Sequence, residues 1–259
     1  MNDDFAPLDW QGQALDCTAC PQQALQRAQR CRPGHCCVQD RYARRVERFF
    51  AINPERANDF LDHPYFEVRA LAAQRADRFR LPALLDDPDE TVRCSAAQRL
   101  PERYLGTLIA DPHREVRIRV ALHLAPERLA VMMNDQDYYV RVVVARRLPE
   151  ALLAALRDDP EAQVRIAVAQ RLRPTELLPM IYDADPAVRA VVAQRLPPAL
   201  LGPLREDPHW QVRYEVAQRI GAHNLGGLLT DDEAAVREMA RQRRAQPLVA
   251  SITAGGGSA

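Results

Sequence analysis

Five of the six cysteines fall within one short stretch, at Cys17, Cys20, Cys31, Cys36 and Cys37; Cys94 stands alone. Cys17-Thr18-Ala19-Cys20 is a C-x-x-C pair, a spacing that lets two thiolates close on one ion or cluster. Cys31 follows, and Pro33-Gly34 can turn the chain back so that Cys36 and Cys37 return to it. Four thiolates suit a [4Fe–4S] cluster or a structural zinc, and spacing alone does not choose between them. The flanking cations Arg27, Arg30, Arg32, Arg41, Arg44, Arg45 and Arg48 suit a dianionic thiolate-ligated cluster, which leans the composition toward iron. Cys17, Cys20 and Cys31 are candidate ligands. Cys36 and Cys37 compete for the fourth place, because adjacent residues rarely both bind one cubane. His35 reads as a solvent-facing turn residue. Cys94 shares its repeat phase with Ile118, Val142 and Ile166, so it reads as a small buried hydrophobe.

The elements that position this knot come from a chain of 259 residues, 47% hydrophobic and 27% charged, enough for one or two packed domains. Acids and bases balance at 35 each, which removes the simplest electrostatic case for a nucleic-acid or membrane-surface binder. All the bases are arginine, which favours bidentate carboxylate pairing. There is no apolar run of about 18 residues to cross a membrane. The acidic start Met1-Asn2-Asp3-Asp4 does not read as a secretory signal. With no leader and one thiol knot, the expectation is a metal-binding protein of the reducing cytoplasm.

Most of the chain repeats. Val-Arg recurs every 24 residues, from Val68-Arg69 to Val236-Arg237, in eight units over residues 62–253. Asp precedes the Val by five residues at Asp87, Asp111, Asp135, Asp159, Asp183, Asp207 and Asp231, with His63 in the first unit. A leucine recurs at Leu81, Leu105, Leu129, Leu153, Leu177, Leu201 and Leu225. The Asp-Pro pair predicts an N-cap and first helical residue, and the helix should run about 12 residues to an Arg-Leu closed by proline. The short Leu-x-x-Leu-Leu remainder predicts 3₁₀ turns, since its leucines follow helical spacing rather than alternation. The wide apolar arc of each helix predicts neighbours on both sides, as in a stack.

The Val-Arg arginines fall inside that arc, where a guanidinium needs a partner. The repeated Asp of the same or the neighbouring unit is the candidate. The predicted ladder comprises Asp87, Arg93, Asp111, Arg117, Asp135, Arg141, Asp159, Arg165, Asp183, Arg189, Asp207 and Arg213. A second series, Arg75, Arg99, Arg147, Arg171, Arg195, Arg219 and Arg243, lies at the edge of the arc and is the candidate for an exposed basic row.

These 24-residue units, together with the cysteine-rich start, resemble the leucine-rich repeat variant family, known from nitrogen-fixing bacteria. The resemblance implies an all-α, right-handed superhelical solenoid that alternates α and 3₁₀ helices behind a small N-terminal iron–sulfur domain. It implies a [4Fe–4S] cluster rather than zinc. It also favours Cys37 over Cys36 as fourth ligand, because the family's ligand precedes a Val-x-Asp-Arg segment, here Val38-Gln39-Asp40-Arg41. HEAT-like repeats share the Asp-Pro-x-x-x-Val-Arg signature, but 24 residues are too few for their two helices.

The expected organisation is therefore a cluster domain over 1–51, repeats over 52–253 and a mobile tail at 254–259. Residues 40–51 should form a helix, with Tyr42, Val46, Phe49 and Phe50 on one face, that docks the cluster domain on the first repeat. Phe5, Leu8 and Trp10 are expected to shield the cluster. No Gly-rich phosphate loop, G-x-S-x-G or H-E-x-x-H occurs, and His63, His113, His123, His209 and His223 sit at different phases. A non-enzymatic, monomeric interaction scaffold with an unidentified protein partner is expected, its cluster structural or redox-sensing. The alternatives are an electron-transfer partner in iron–sulfur or nitrogen-fixation metabolism and a nucleic-acid-binding solenoid.

Overall fold

The structure, a computed structural model, describes residues 6–245. Phe5, the end of the last repeat and the expected tail at 254–259 lie outside the described residues. Two isolated bridges, Leu8 with Ala14 and Arg32 with Cys36, are the only β pairing among the described residues. The rest of the ordered backbone is α and 3₁₀ helix.

The chain forms two compact units, Met1–Val144 and Ala145–Ala259. Within the first, the cysteine-rich segment shares a core with the start of the repeats. The predicted docking helix is present as Ala43–Ile52, and its Val46, Phe49 and Phe50 are fully buried. Phe49 and Phe50 meet Phe60 edge to face, at centroid distances of 5.8 and 5.7 Å.

In the first unit, the helices Phe66–Ala73, Glu90–Arg99 and Arg114–His123 alternate with 3₁₀ segments Arg78–Asp86, Glu102–Ala110 and Pro126–Met132. In the second, the helices Ala162–Ala169, Pro186–Arg195, Trp210–Arg219 and Ala234–Ala245 are separated by short segments such as Leu178–Tyr182 and Gly226–Thr230. One connection, Glu150–Leu153, is a single α turn instead of 3₁₀. The Val-Arg valines from Val68 to Val236 are completely buried, as are the 3₁₀ leucines Leu81, Leu105 and Leu129 in the first unit and Leu153, Leu177 and Leu201 in the second. Burying one such side chain contributes about 1.5–3 kcal/mol.

The helix starts correct the expectation. The Asp of the Asp-Pro pair is not the N-cap. Asp87 Oδ1 accepts the N–H of Asp89 at 2.9 Å, and the helix begins only after Asp89, whose own carboxylate caps Thr91 N at 2.9 Å. Two successive Asx turns thus feed one helix. The repeated Asp is drawn away from the cap by a stronger partner, described below. Among the described α-helices proline is the first residue only at Pro186, where Asp185 is the cap. The predicted stops hold: Leu100 and Leu196 end their helices with extended backbones, ψ 145° and 146°, ahead of Pro101 and Pro197.

Candidate metal centre

The chain turns back on itself where the sequence expected. Arg32 N donates to Cys36 O at 2.8 Å and Cys36 N to Arg32 O at 2.9 Å, with Gly34 at φ +73° in the loop between them. This turn carries Cys36 and Cys37 to Cys31, and all three are buried. The Cys31 thiol donates a hydrogen bond to the Cys37 sulfur. That bond, followed by burial and by the neighbouring sulfurs of Cys37, Cys36 and Cys20, pushes the Cys31 thiol far above the ordinary range. Burial and the charges of Cys37 and Cys20 push Cys17 up as well. Cys17 and Cys20 therefore belong to the same cluster of sulfurs, and both remain half-exposed.

Cys37 behaves differently. The hydrogen bond from Cys31, aided by the backbone N–H groups of Gln39 and Asp40, holds its thiol below the ordinary value despite burial. The N–H of Gln22 likewise points at Cys20 Sγ, at 3.4 Å. Backbone donors aimed at sulfur stabilise thiolate over thiol. Cys36 points elsewhere: its Sγ faces the carbonyl of Arg30, 4.0 Å away. The donor set of Cys17, Cys20, Cys31 and Cys37 thus fits a thiolate-ligated group in chemistry. Among the described residues no three His, Cys, Asp or Glu side chains stand at the separations of ligands around a single ion.

Two buried polar residues frame the knot, and neither was singled out as a framing residue from sequence. Asn53, with no exposed surface, donates through Nδ2 to Arg30 O at 3.0 Å and to Phe49 O at 2.9 Å. It pins the backbone beside Cys31 to the docking helix. Its signal was only its place at the helix end before Pro54. Asp40, within the Val-x-Asp-Arg segment, is also fully buried and pairs with Arg45 at 3.0 Å, while its Oδ1 accepts Tyr42 N at 2.9 Å. Of the seven flanking arginines only Arg45 is buried; Arg30 leaves for Ile52 O and Glu55, and Arg27, Arg32, Arg41 and Arg44 face solvent.

The remaining expectations divide. His35 is exposed, as expected of a turn residue. Trp10 packs edge-on against His63 at 4.7 Å and stacks with Tyr65 at 6.4 Å. These contacts tie Trp10 to the first repeat, whereas Leu8 stays within the cysteine-rich segment, its carbonyl accepting Arg41 N at 2.9 Å. Cys94 is half-buried rather than buried, and burial raises its thiol.

The arginine ladder resolves the choice left open between own and neighbouring unit, because each arginine uses both. Arg93 binds the next unit's Asp111 through Nε at 2.7 Å and Nη2 at 2.9 Å, and donates Nη1 to its own unit's Asp87 O at 2.7 Å and Pro88 O at 3.2 Å. The same fork joins Arg69 to Asp87 and Arg117 to Asp135 in the first unit. In the second it joins Arg165 to Asp183, Arg189 to Asp207 and Arg213 to Asp231. Arg141 donates to Asp135 O at 2.7 Å. The arginine is held above its ordinary pKa chiefly by the carboxylate bond, as at Arg93 and Arg213.

Four members of the second arginine series are engaged by backbone rather than free at the edge. Arg99 Nη1 donates to Ala73 O and Ala76 O of the preceding repeat. Arg171 does the same to Ala145 O and Leu148 O, Arg195 to Ala169 O and Leu172 O, and Arg219 to Ala193 O. These arginines cap the carbonyl-rich C-terminal end of the previous helix, where the backbone dipole attracts a cation. Helical angle alone could not reveal an acceptor in a different repeat.

Comparison with known proteins agrees with this geometry. A family model described as "LRV protein FeS4 cluster" matches residues 7–59. A protein of Rhodobacter capsulatus, described as an uncharacterized 27.7 kDa protein in the nifB 3' region, is 57% identical over 79 residues. That stretch is 30% of this chain and 32% of the relative, so the match spans about a third of the relative's length. A solved structure described as a leucine-rich repeat variant with a novel repetitive protein structural motif is 38% identical, with a TM-score of 0.84, over 88% of this chain and 98% of that one. With near-complete coverage of that structure, and with the iron–sulfur family matched at its cysteine-rich start, this chain belongs to the leucine-rich repeat variant family and is an iron–sulfur repeat protein.

Proposed function

We propose that Cys17, Cys20, Cys31 and Cys37 hold a [4Fe–4S] cluster, and that the chain is a monomeric, non-enzymatic scaffold whose repeats carry a protein partner. The backbone donors at Cys20 and Cys37 support the ligand assignment, and the orientation of Cys36 toward Arg30 O supports its exclusion. A bound cluster would supply a one-electron centre and a covalent cross-link between Cys17–Cys20 and the 31–37 turn. The polypeptide positions the sulfurs and shields three of the five cysteines from water.

The scaffold reading rests on one observation: the ladder arginines and, in the second series, Arg99, Arg171, Arg195 and Arg219 are occupied within the repeats, while apolar side chains remain outside. Tyr182 is 81% exposed and Val131 66%. Such residues offer an apolar, mixed-charge surface suited to protein rather than to phosphate backbone. Reduced thiols fit a cytoplasmic setting. No helix of the described residues is long and apolar enough to cross a membrane.

Electron transfer is the second reading. The half-exposure of Cys17 and Cys20 favours it, since an edge of the cluster would lie near solvent. The relative's description, in the nifB 3' region, makes nitrogen-fixation metabolism the setting to examine. An anaerobic pull-down from native cells, with Tyr182→Asp and Val131→Asp as comparison baits, tests the scaffold. Stoichiometric capture lost in those variants, with the cluster retained, supports it. Capture that follows only the cluster's redox state supports electron transfer instead.

A further inference from the structure

A cavity of about 400 Å³ opens at the first repeat junction, lined by Arg75, Arg78, Phe79, Arg99, Arg103 and Tyr104. This junction departs from the pairing seen one repeat later. Glu102 there accepts Arg128 at 2.8 Å and Ala125 N at 3.1 Å. At the Glu102 phase of the first repeat stands Arg78, at the Arg103 phase Phe79, and at the Tyr104 phase Arg80. Among the described residues, Arg75, Arg78 and Arg103 have no ion-pair partner. Arg103 lies only over the Tyr104 ring, 4.9 Å from its centroid. The cavity's acid, Asp77, is engaged by Asn58, through Nδ2 at 2.7 Å and by accepting Asp77 N at 2.9 Å. Three guanidinium groups without an ion-pair partner, with Arg99 held beside them on the carbonyls of Ala73 and Ala76, therefore line a cavity with one carboxylate in a chain of zero net charge.

The crowding is physical. Burial, with the neighbouring Arg78 charge, holds Arg99 below its ordinary value. A bound anion would relieve that repulsion. Guanidinium forks match phosphate oxygens two at a time. Phe79, 95% exposed, presents a full aromatic face with nothing stacked on it, and a base can stack on such a face. The volume lies at the small end of ligand pockets, enough for one ring and its phosphates but not for a length of peptide.

We propose that this cavity binds a single nucleotide, its phosphates on Arg78, Arg103 and the neighbouring Arg75, and its base against Phe79. The site is separate from the cysteine knot and from the apolar residues used by the scaffold reading, so either proposal can fail alone.

Titration calorimetry of the full-length, cluster-loaded protein with ADP, adenosine, pyrophosphate and a short oligothymidylate tests it. ADP is expected to bind one per chain with a Kd on the order of micromolar. Adenosine and pyrophosphate should each bind at least about tenfold more weakly. Arg78→Ala with Arg103→Ala should weaken ADP by about tenfold or more, and Phe79→Ala should weaken ADP while leaving pyrophosphate unchanged. These three side chains are exposed, so thermal unfolding should match the parent. Arg128→Ala, outside the cavity, should change nothing. No ADP binding at millimolar concentration, or binding unchanged in the double arginine variant, overturns the proposal. Oligothymidylate binding tighter than ADP through the same arginines overturns the single-nucleotide occupant.

Discussion

Arg117 and Asp135 belong to successive repeats and close on each other through two parallel bonds, 2.8 and 3.0 Å, with side chains only 5% and 6% exposed. Arg117 also holds Asp111 O at 2.8 Å. Register between neighbours is thus fixed by a charged fork rather than by hydrophobic contact alone. Removing one partner leaves a buried charge uncompensated. Arg117→Ala or Asp135→Ala should lower unfolding free energy by about 3–5 kcal/mol, read by urea denaturation. An apolar double replacement should recover only part of this, because the carbonyls of Asp111 and Pro112 would still lack a donor.

The ladder also sets an acid limit. Burial tends to raise the carboxyls of Asp183 and Asp207, but the bonds from Arg165 and Arg189 and from backbone N–H groups override it and hold both below the ordinary range. Asp231 is lowered chiefly by Arg213. A depressed folded pKa contributes stability that is complete above the unfolded value of about 3.9 and is lost as pH falls through the folded value. Urea midpoints should therefore be flat at mildly acidic pH and fall below about pH 4. Asp231→Asn should have a lower midpoint at neutral pH and a shallower acid decline. Equal acid slopes in the two proteins would contradict this.

Duplex DNA should bind no tighter than about 10⁻⁵ M at physiological salt, the weak non-specific range. The reason is that Arg99, Arg171, Arg195 and Arg219 already serve backbone carbonyls. Anisotropy titrations across salt concentrations measure affinity and slope together. Submicromolar binding with a log–log slope steeper than about −4 would restore the nucleic-acid reading.

Asn53 holds the backbone ahead of Cys31 to the docking helix. Asn53→Ala should cost about 1–3 kcal/mol and loosen the 31–37 turn. The readout that separates this from general destabilisation is cluster retention: the variant should lose its visible absorbance to a chelator faster than Arg117→Ala, which lies among the repeats. Equal rates of loss would reduce Asn53 to a purely structural residue.

The repeat was legible because a solenoid writes the same neighbour contacts into every unit, so Val68 through Val236 and Leu81 through Leu225 recur in phase and all are buried. The knot's turn was legible from Pro33-Gly34. Three features were not. Asp87 looks like an N-cap in one dimension; only the position of Arg69 in the preceding repeat shows what its carboxylate serves. Arg99 reads as an edge residue until the carbonyls of Ala73 and Ala76 are placed beside it. The join between cysteine segment and repeats looked like a boundary, yet the ring of Phe60 closes the core that Phe49 and Phe50 begin.

Iron and acid-labile sulfide analysis of anaerobically purified protein, run on the parent, Cys36→Ala and Cys37→Ala, tests the central claim most directly. The account predicts about four iron and four sulfide per chain in the parent, nearly the same in Cys36→Ala, and loss of the intact cluster in Cys37→Ala. Stoichiometric zinc without iron in the parent, or a cluster that depends on Cys36 and not on Cys37, would contradict it.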